Sequence, residues 1–180
     1  MTQQRRQLSE WMNRAASGNG EAFGKLATAV QDDLFRFALA LRLNRADAAE
    51  AAQETLLRAY GKRKTWQFDG NVTAWLFGIA MNVVRELHRK RRGSRMVDLD
   101  PAGIAGPSTD GLPDRTAGLA ELAEALEALP ARQREAVACR YLRGMSVKET
   151  AAVMSCAEGT VKATLHAAIE NLRQRMRTRT

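Results

Sequence analysis

SVKETAAVMSCAEGTVKATLHAAIENL, residues 146–172, carries the punctuation of two helices joined by one short turn. Ser146 and Glu149 have the spacing of a capping box, in which the Ser hydroxyl accepts from the Glu149 backbone amide and the Glu carboxylate accepts from the amide of Ser146. Val147, Ala151 and Met154 then recur at helical spacing. Ser155, Cys156 and Ala157 break the pattern, and Glu158-Gly159-Thr160 opens a second helix with acidic charge at its positive dipole end. Val161, Leu165, Ala168 and Leu172 form the apolar stripe of that helix, which leaves Gly159, Lys162, Ala163, His166 and Glu170 on the opposite face. A helix-turn-helix turns such a face to the major groove. An ordinary helical hairpin in an all-α core has the same punctuation, so the stretch decides the fold class and leaves its use open.

Immediately upstream, Val137, Tyr141 and Leu142 mark a helix closed by Gly144, and Leu119, Leu122, Leu126 and Leu129 mark another closed by Pro130. These two form the body on which the hairpin rests. Before them, residues 93–116 hold three of the four prolines and Asp98, Asp100, Asp110 and Asp114 with little apolar periodicity, the composition of a flexible linker. After the hairpin, the basic residues 173–180 read as a frayed end with phosphate affinity.

The N-terminal half is also helical. Leu8, Trp11, Met12 and Ala15 outline a helix over residues 7–17, and a second runs from Glu21 to about Leu43. A third starts near Asp47, with Leu56, Leu57, Ala59 and Tyr60 as its packing residues. On it Asp47, Glu50 and Glu54 lie three and four apart and share one face, an acidic stripe on a basic protein that fits solvent or a docking partner equally. A loop over residues 65–71 holds Trp66, Phe68 and Gly70, a mixture that can plug a core edge or hold an unstacked base. The helix over residues 72–92 buries Leu76, Ala80, Val83 and Leu87, carries Trp75, Asn82, Glu86 and Arg89 on an adjacent face beside Arg85, and ends in His88-Arg89-Lys90-Arg91-Arg92, where cations suit both the helix dipole and phosphate. The expected architecture is all-α, with two helical domains, 1–92 and 117–180, joined by the flexible linker 93–116.

Composition agrees with a polyanionic partner: 28 Lys and Arg against 20 Asp and Glu give a formal net charge of +8. Cys139 and Cys156 have neither disulfide nor zinc spacing and read as small apolar residues, and His88 and His166 stand alone, so no metal or other cofactor is expected. No nucleophile–base pair, phosphate loop or metal cluster supports an enzyme. No apolar run approaches the roughly 20 residues of a membrane span, and no signal core follows residues 1–6. A cytoplasmic protein without membrane insertion is expected.

Taken together, Gly18-Asn19-Gly20-Glu21-Ala22-Phe23, Asp47-Ala48-Ala49-Glu50-Ala51-Ala52-Gln53-Glu54, Ala74-Trp75-Leu76-Phe77-Gly78-Ile79-Ala80-Met81-Asn82 with the basic run after it, Leu126-Glu127-Ala128-Leu129-Pro130-Ala131-Arg132-Gln133-Arg134-Glu135 and Gly159-Thr160-Val161-Lys162 resemble, in order and spacing, a bacterial RNA polymerase sigma factor of the extracytoplasmic-function (ECF) group of the sigma-70 family. The resemblance implies sigma domains 2 and 4 and no catalytic site. It implies that Asp47, Glu50, Gln53 and Glu54 dock on the clamp helices of core RNA polymerase. It further implies that Trp66, Phe68, Asp69, Asn71, Trp75, Asn82, Arg85, Arg89, Lys90, Arg91 and Arg92 read and open the minus-10 promoter DNA. Ser155, Glu158, Gly159, Thr160, Lys162, Ala163 and His166 would meet the minus-35 element while the other side of that unit rests on the polymerase flap. The chain would be monomeric when free, with the linker in the RNA-exit path and an anti-sigma factor as regulator. Ala49 stands where many relatives carry a second carboxylate, and Thr55 beside Glu54 is a candidate phosphorylation site that would restore the charge. Ala163, Thr164 and Ala167 replace frequent arginines of the recognition helix. The rival reading is a helix-turn-helix regulator that binds duplex half-sites as a dimer; such a regulator needs neither the acidic helix nor an aromatic melting loop.

Overall fold

A computed structural model describes residues 2–67, 70–97 and 124–177, and every regular element among them is helical. Four helices come first: α1 (Thr2–Ala16), α2 (Gly20–Ala40), α3 (Arg45–Lys62), extended by a 3₁₀ turn (Arg63–Thr65), and α4 (Val72–Val97). Residues 124–127 are helical and precede Pro130. Then follow α5 (Ala131–Val137), which passes into a π turn (Ala138–Leu142), α6 (Val147–Met154) and α7 (Glu158–Arg177).

Side-chain caps set where the helices begin. Asn19 Oδ1 accepts from Ala22 N at 2.9 Å to start α2, and Asn44 Oδ1 accepts from Asp47 N at 2.8 Å to start α3. Asn71 Oδ1 accepts from Ala74 N at 3.2 Å at the head of α4. Each satisfies an amide that the helix itself leaves without a partner. The capping box of α6 is complete, with Glu149 N donating to Ser146 Oγ at 3.1 Å and Ser146 N to Glu149 Oε2 at 2.6 Å. Ser155, at φ 54°, ends α6 in the left-handed conformation and turns the chain into α7.

The first four helices enclose a core in which Met12, Leu26, Leu34, Phe37, Leu76 and Met81 are almost fully buried. Phe37 meets Phe77 edge to face, with centroids 4.9 Å apart. The smaller second core holds Leu129, Ala136, Val137, Ala151, Met154, Val161, Leu165 and Ala168. The two units touch: α6 packs on α4, and Ala138, Cys139, Met145 and Val153 are buried in the same cluster as the first core.

Several expectations are corrected. Helix α1 begins at Thr2 and not near residue 7, α4 continues to Val97 past the expected break at residue 93, and α7 remains helical to Arg177 where a frayed end was expected. Leu119 and Leu122 lie outside the described residues. Tyr141 and Leu142 do not pack: the π turn rotates both outward, to 59% and 53% exposure. Leu57 was expected in the core and is 68% exposed, because α3 buries its small residues Ala48, Ala51, Ala52, Thr55 and Ala59 instead.

Replacing Phe37 by Ala should therefore cost about 3–5 kcal/mol. Leu57→Ala should stay within about 0.5 kcal/mol of the parent, as for other exposed positions. Urea denaturation of the two variants measures both.

Candidate nucleic-acid and polymerase interface

The sequence-identified residues fall on three surfaces. On α3, Glu50 and Gln53 are exposed beside Leu57. Glu54 is half-buried and accepts from Arg58 Nε at 2.6 Å, and the same guanidinium reaches Glu86 of α4 through two further bonds of 2.9 and 2.8 Å. The bond from Arg58 holds the Glu86 carboxyl below its usual pKa. Asp47 does not point outward with the stripe: it is ion-paired with Arg91, so both leave the sets of free contacts expected for them. Thr55 is fully buried and its hydroxyl donates to Ala51 O at 2.6 Å, which removes it as a phosphorylation site in the folded chain.

The second surface is the face of α4. Trp66, expected at the DNA, is 6% exposed; its indole Nε1 donates to Asn13 Oδ1 at 2.7 Å and its ring meets Trp75 edge to face at 5.6 Å. It fixes the loop and offers no free stacking face. Gly70 completes this wedge, since a Cβ there would stand 2.9 Å from the Trp66 ring and 3.0 Å from Gln67 O. Phe68 and Asp69 lie outside the described residues. Beyond the loop, Asn82, Arg85, Arg89 and Arg92 line a cleft of about 990 Å³ between the units, together with Arg42, Arg58, Lys62, Arg91, Arg132 and Arg134, while only Glu86 and Glu135 contribute carboxylates. Such a cleft favours phosphate. Lys90 is exposed next to it, and Arg89 and Arg92 enter no ion pair among the described residues.

Sequence reasoning missed what Arg85 and Asn71 touch. Arg85 forms a two-pronged bond with Glu135 of α5, Nε to Oε1 at 3.0 Å and Nη2 to Oε2 at 2.8 Å, and Glu135 is 8% exposed. Asn71 Nδ2 donates to Glu149 Oε1. Arg5 of α1 stands 3.6 Å from the same oxygen. No local signal marks pairings across 50 and 78 residues of chain. Cys139 lies in the same interface, where burial pushes its thiol up to about 12 and keeps it protonated.

The third surface is α7. Val161, Leu165 and Ala168 are buried, Ser155, Glu158, Gly159, Thr160, Lys162, Ala163 and His166 are exposed, and the helix packs on α5 and α6. The expected reading face is therefore free, and its cations continue at Arg173, Arg175 and Arg177.

Comparison with known proteins fits this division. Residues 26–94 match the Sigma-70 region 2 family and residues 119–172 match Sigma-70, region 4. The chain is 36% identical over 156 residues to the ECF RNA polymerase sigma factor EcfG of Rhodopseudomonas palustris, across 82% of this chain and 84% of that protein. Its fold is similar to CnrH solved in complex with the cytosolic domain of CnrY, with a TM-score of 0.74 and 26% identity across 97% of this chain and 99% of the other. It is likewise similar to the sigma factor RpoE solved with the anti-sigma factor NepR from Bartonella quintana, with a TM-score of 0.75 and 30% identity across 86% and 96% of the two chains.

Burial acts to raise the Glu149 carboxyl, but the bonds from Ser146 and Asn71 and the charge of Arg5 outweigh it, so its folded pKa lies below the usual value. A depressed carboxylate adds stability above its unfolded pKa, about 4.3, and loses that contribution as pH falls through the folded value. Thermal melting of the parent and Glu149→Gln should differ most at neutral pH and converge below about pH 4.

Proposed function

The chain belongs to the ECF group of sigma-70-family RNA polymerase sigma factors, and from that premise we propose that it binds core polymerase through α3 and reads promoter DNA with α4 and α7. The observation that carries this reading is Leu57, an apolar side chain 68% exposed on a helix that also presents Glu50 and Gln53. Neither the core nor a DNA phosphate accounts for that combination, and a protein partner does: an apolar anchor with a charged rim is the make-up of an interface hot spot. A dimeric duplex-binding regulator would leave it unused.

In the proposed role, Glu50, Gln53 and Leu57 meet the polymerase clamp helices, while Asp47 holds α3 to Arg91 of α4 and Glu54 steadies Arg58 for its bond to Glu86 of α4. Asn82, Arg85, Arg89, Lys90 and Arg92 follow the melted minus-10 strand, whose separation needs cations for its phosphates and polar groups for exposed base edges. Trp66 and Gly70 act behind them by bracing the loop. Lys162, His166 and the first turn of α7 enter the major groove at the minus-35 element. On this assignment residues 1–92 act as sigma domain 2 and 117–180 as sigma domain 4. CnrH and RpoE were each solved with a bound partner, and an anti-sigma factor is the corresponding partner proposed for this chain.

Run-off transcription with purified core polymerase tests the reading: the chain should yield promoter-specific transcripts, and duplex binding without any transcript would overturn it. Within that assay, Glu50→Lys with Leu57→Ala should weaken core binding by roughly tenfold or more, without lowering the melting temperature of the free chain. Unchanged co-elution with core would remove α3 from the interface.

A further inference from the structure

We infer that the cleft between α4 and α5 is a binding site for a small polyphosphate anion, recognised by charge through Arg42, Arg89, Arg92 and Arg134. Arg89 and Arg92 also belong to the proposed minus-10 surface, so on that reading such an anion and a promoter strand compete. Binding to the free chain is measured without polymerase or DNA, and the two readings can fail separately.

The ion pairs around the cleft leave cations over. Arg58 is engaged by Glu54 and Glu86, Arg91 by Asp47, and Arg85 and Arg132 share Glu135. Among the described residues no ion pair engages Arg42, Arg89, Arg92 or Arg134, and all four line the same cleft of about 990 Å³. They come from the turn after α2, from α4 and from the first turn of α5. The solvation of any single helix end therefore does not account for their convergence.

Two features show that this convergence is built against local preference. Arg42 closes α2 as the left-handed residue of a Schellman turn, at φ 66°, with its amide donating to Leu39 O at 2.9 Å and the Leu43 amide to Ala38 O at 3.2 Å. Glycine takes that conformation freely and a long side chain does not, so an arginine there is an outlier of the kind that marks a functional position. Its Nη1 donates to Glu127 O at 3.1 Å, and Arg134 Nη2 donates to the same oxygen at 2.8 Å. Two guanidiniums thus meet at one neutral carbonyl. Burial of Arg134 and the charge of Arg42 hold its pKa below the ordinary arginine value, and Glu127 and Glu135 offset only part of this. An anion in the cleft supplies the counter-charge that a carbonyl cannot.

The lining also sets the class of ligand. The volume lies at the upper end of the range of small-molecule sites. No Phe, Tyr or Trp belongs to the described lining, and Trp66 and Trp75 lie outside it against each other. A base finds no aromatic stacking surface there, whereas guanidiniums take phosphate oxygens through paired N–H groups. Several linked phosphates reach several of these arginines at once, which one sulfate-sized anion does not.

Calorimetric titration of the full chain with sodium tripolyphosphate should show saturable binding, with GTP bound no more tightly and guanosine not at all. Arg42→Gly should weaken tripolyphosphate roughly tenfold, the loss of one charge-assisted contact, without lowering the melting temperature of the free chain, because glycine suits the turn. A purely structural Arg42 would not give that combination. Arg92→Gln should weaken binding similarly, and Arg175→Gln, which removes the same charge at an exposed position of α7, should not. Absence of saturable binding, sulfate bound as tightly as tripolyphosphate, GTP bound more tightly than tripolyphosphate, or equal losses in Arg175→Gln and Arg92→Gln would each overturn the inference. If Arg42→Gly lowers the melting temperature, the comparison of Arg92→Gln with Arg175→Gln decides alone.

Discussion

Glu149 holds together two levels of the structure with one carboxylate. Its Oε2 accepts from the Ser146 amide and completes the cap of α6, while its Oε1 accepts from Asn71, which itself caps α4 through its other amide atom. Two helix starts are thus joined through side chains, 78 residues apart in sequence, that each helix needs for its own N-terminal cap. A cap is worth about 1 kcal/mol locally. Here the same groups also fix where the helix-turn-helix stands relative to the four-helix unit.

The position of α3 follows from a different constraint. Its buried residues are Ala48, Ala51, Ala52, Thr55 and Ala59, with Leu56 partly buried against the same core, so the helix is held largely by close contact between small residues. That frees Leu57 and Tyr60 for the outside, where Tyr60 lies against Phe23 and under the Arg63 guanidinium. Arg58, steadied by Glu54 on its own helix, then ties α3 to α4 through Glu86. The proposed polymerase face and the proposed single-strand face are therefore linked by one guanidinium.

Local chemistry was legible in the sequence. The Ser146–Glu149 box, the helix break at Ser155, the buried Val161, Leu165 and Ala168 stripe and the all-α class all follow from spacing within a few residues. The misreadings of individual side chains have one common cause, that burial depends on the partner and not on the side chain's own polarity. Leu57 looks like core because it is leucine, yet the alanines took its place; Trp66 looks like a base-stacking residue because it sits in a polar loop, yet Asn13 gives its indole a buried acceptor. Asp47 belongs to the acidic stripe by spacing and to Arg91 by contact. The Arg85–Glu135 and Asn71–Glu149 pairs could not be read, since each residue has an adequate local explanation as phosphate ligand or cap.

Hydrogen exchange of the chain, alone and bound to core polymerase, shows whether the chain docks through α3. Core binding should slow amide exchange along α3 around Glu50 to Leu57, where both side chains are exposed in the free chain. Exchange on α3 that is unchanged by core would place the docking surface elsewhere.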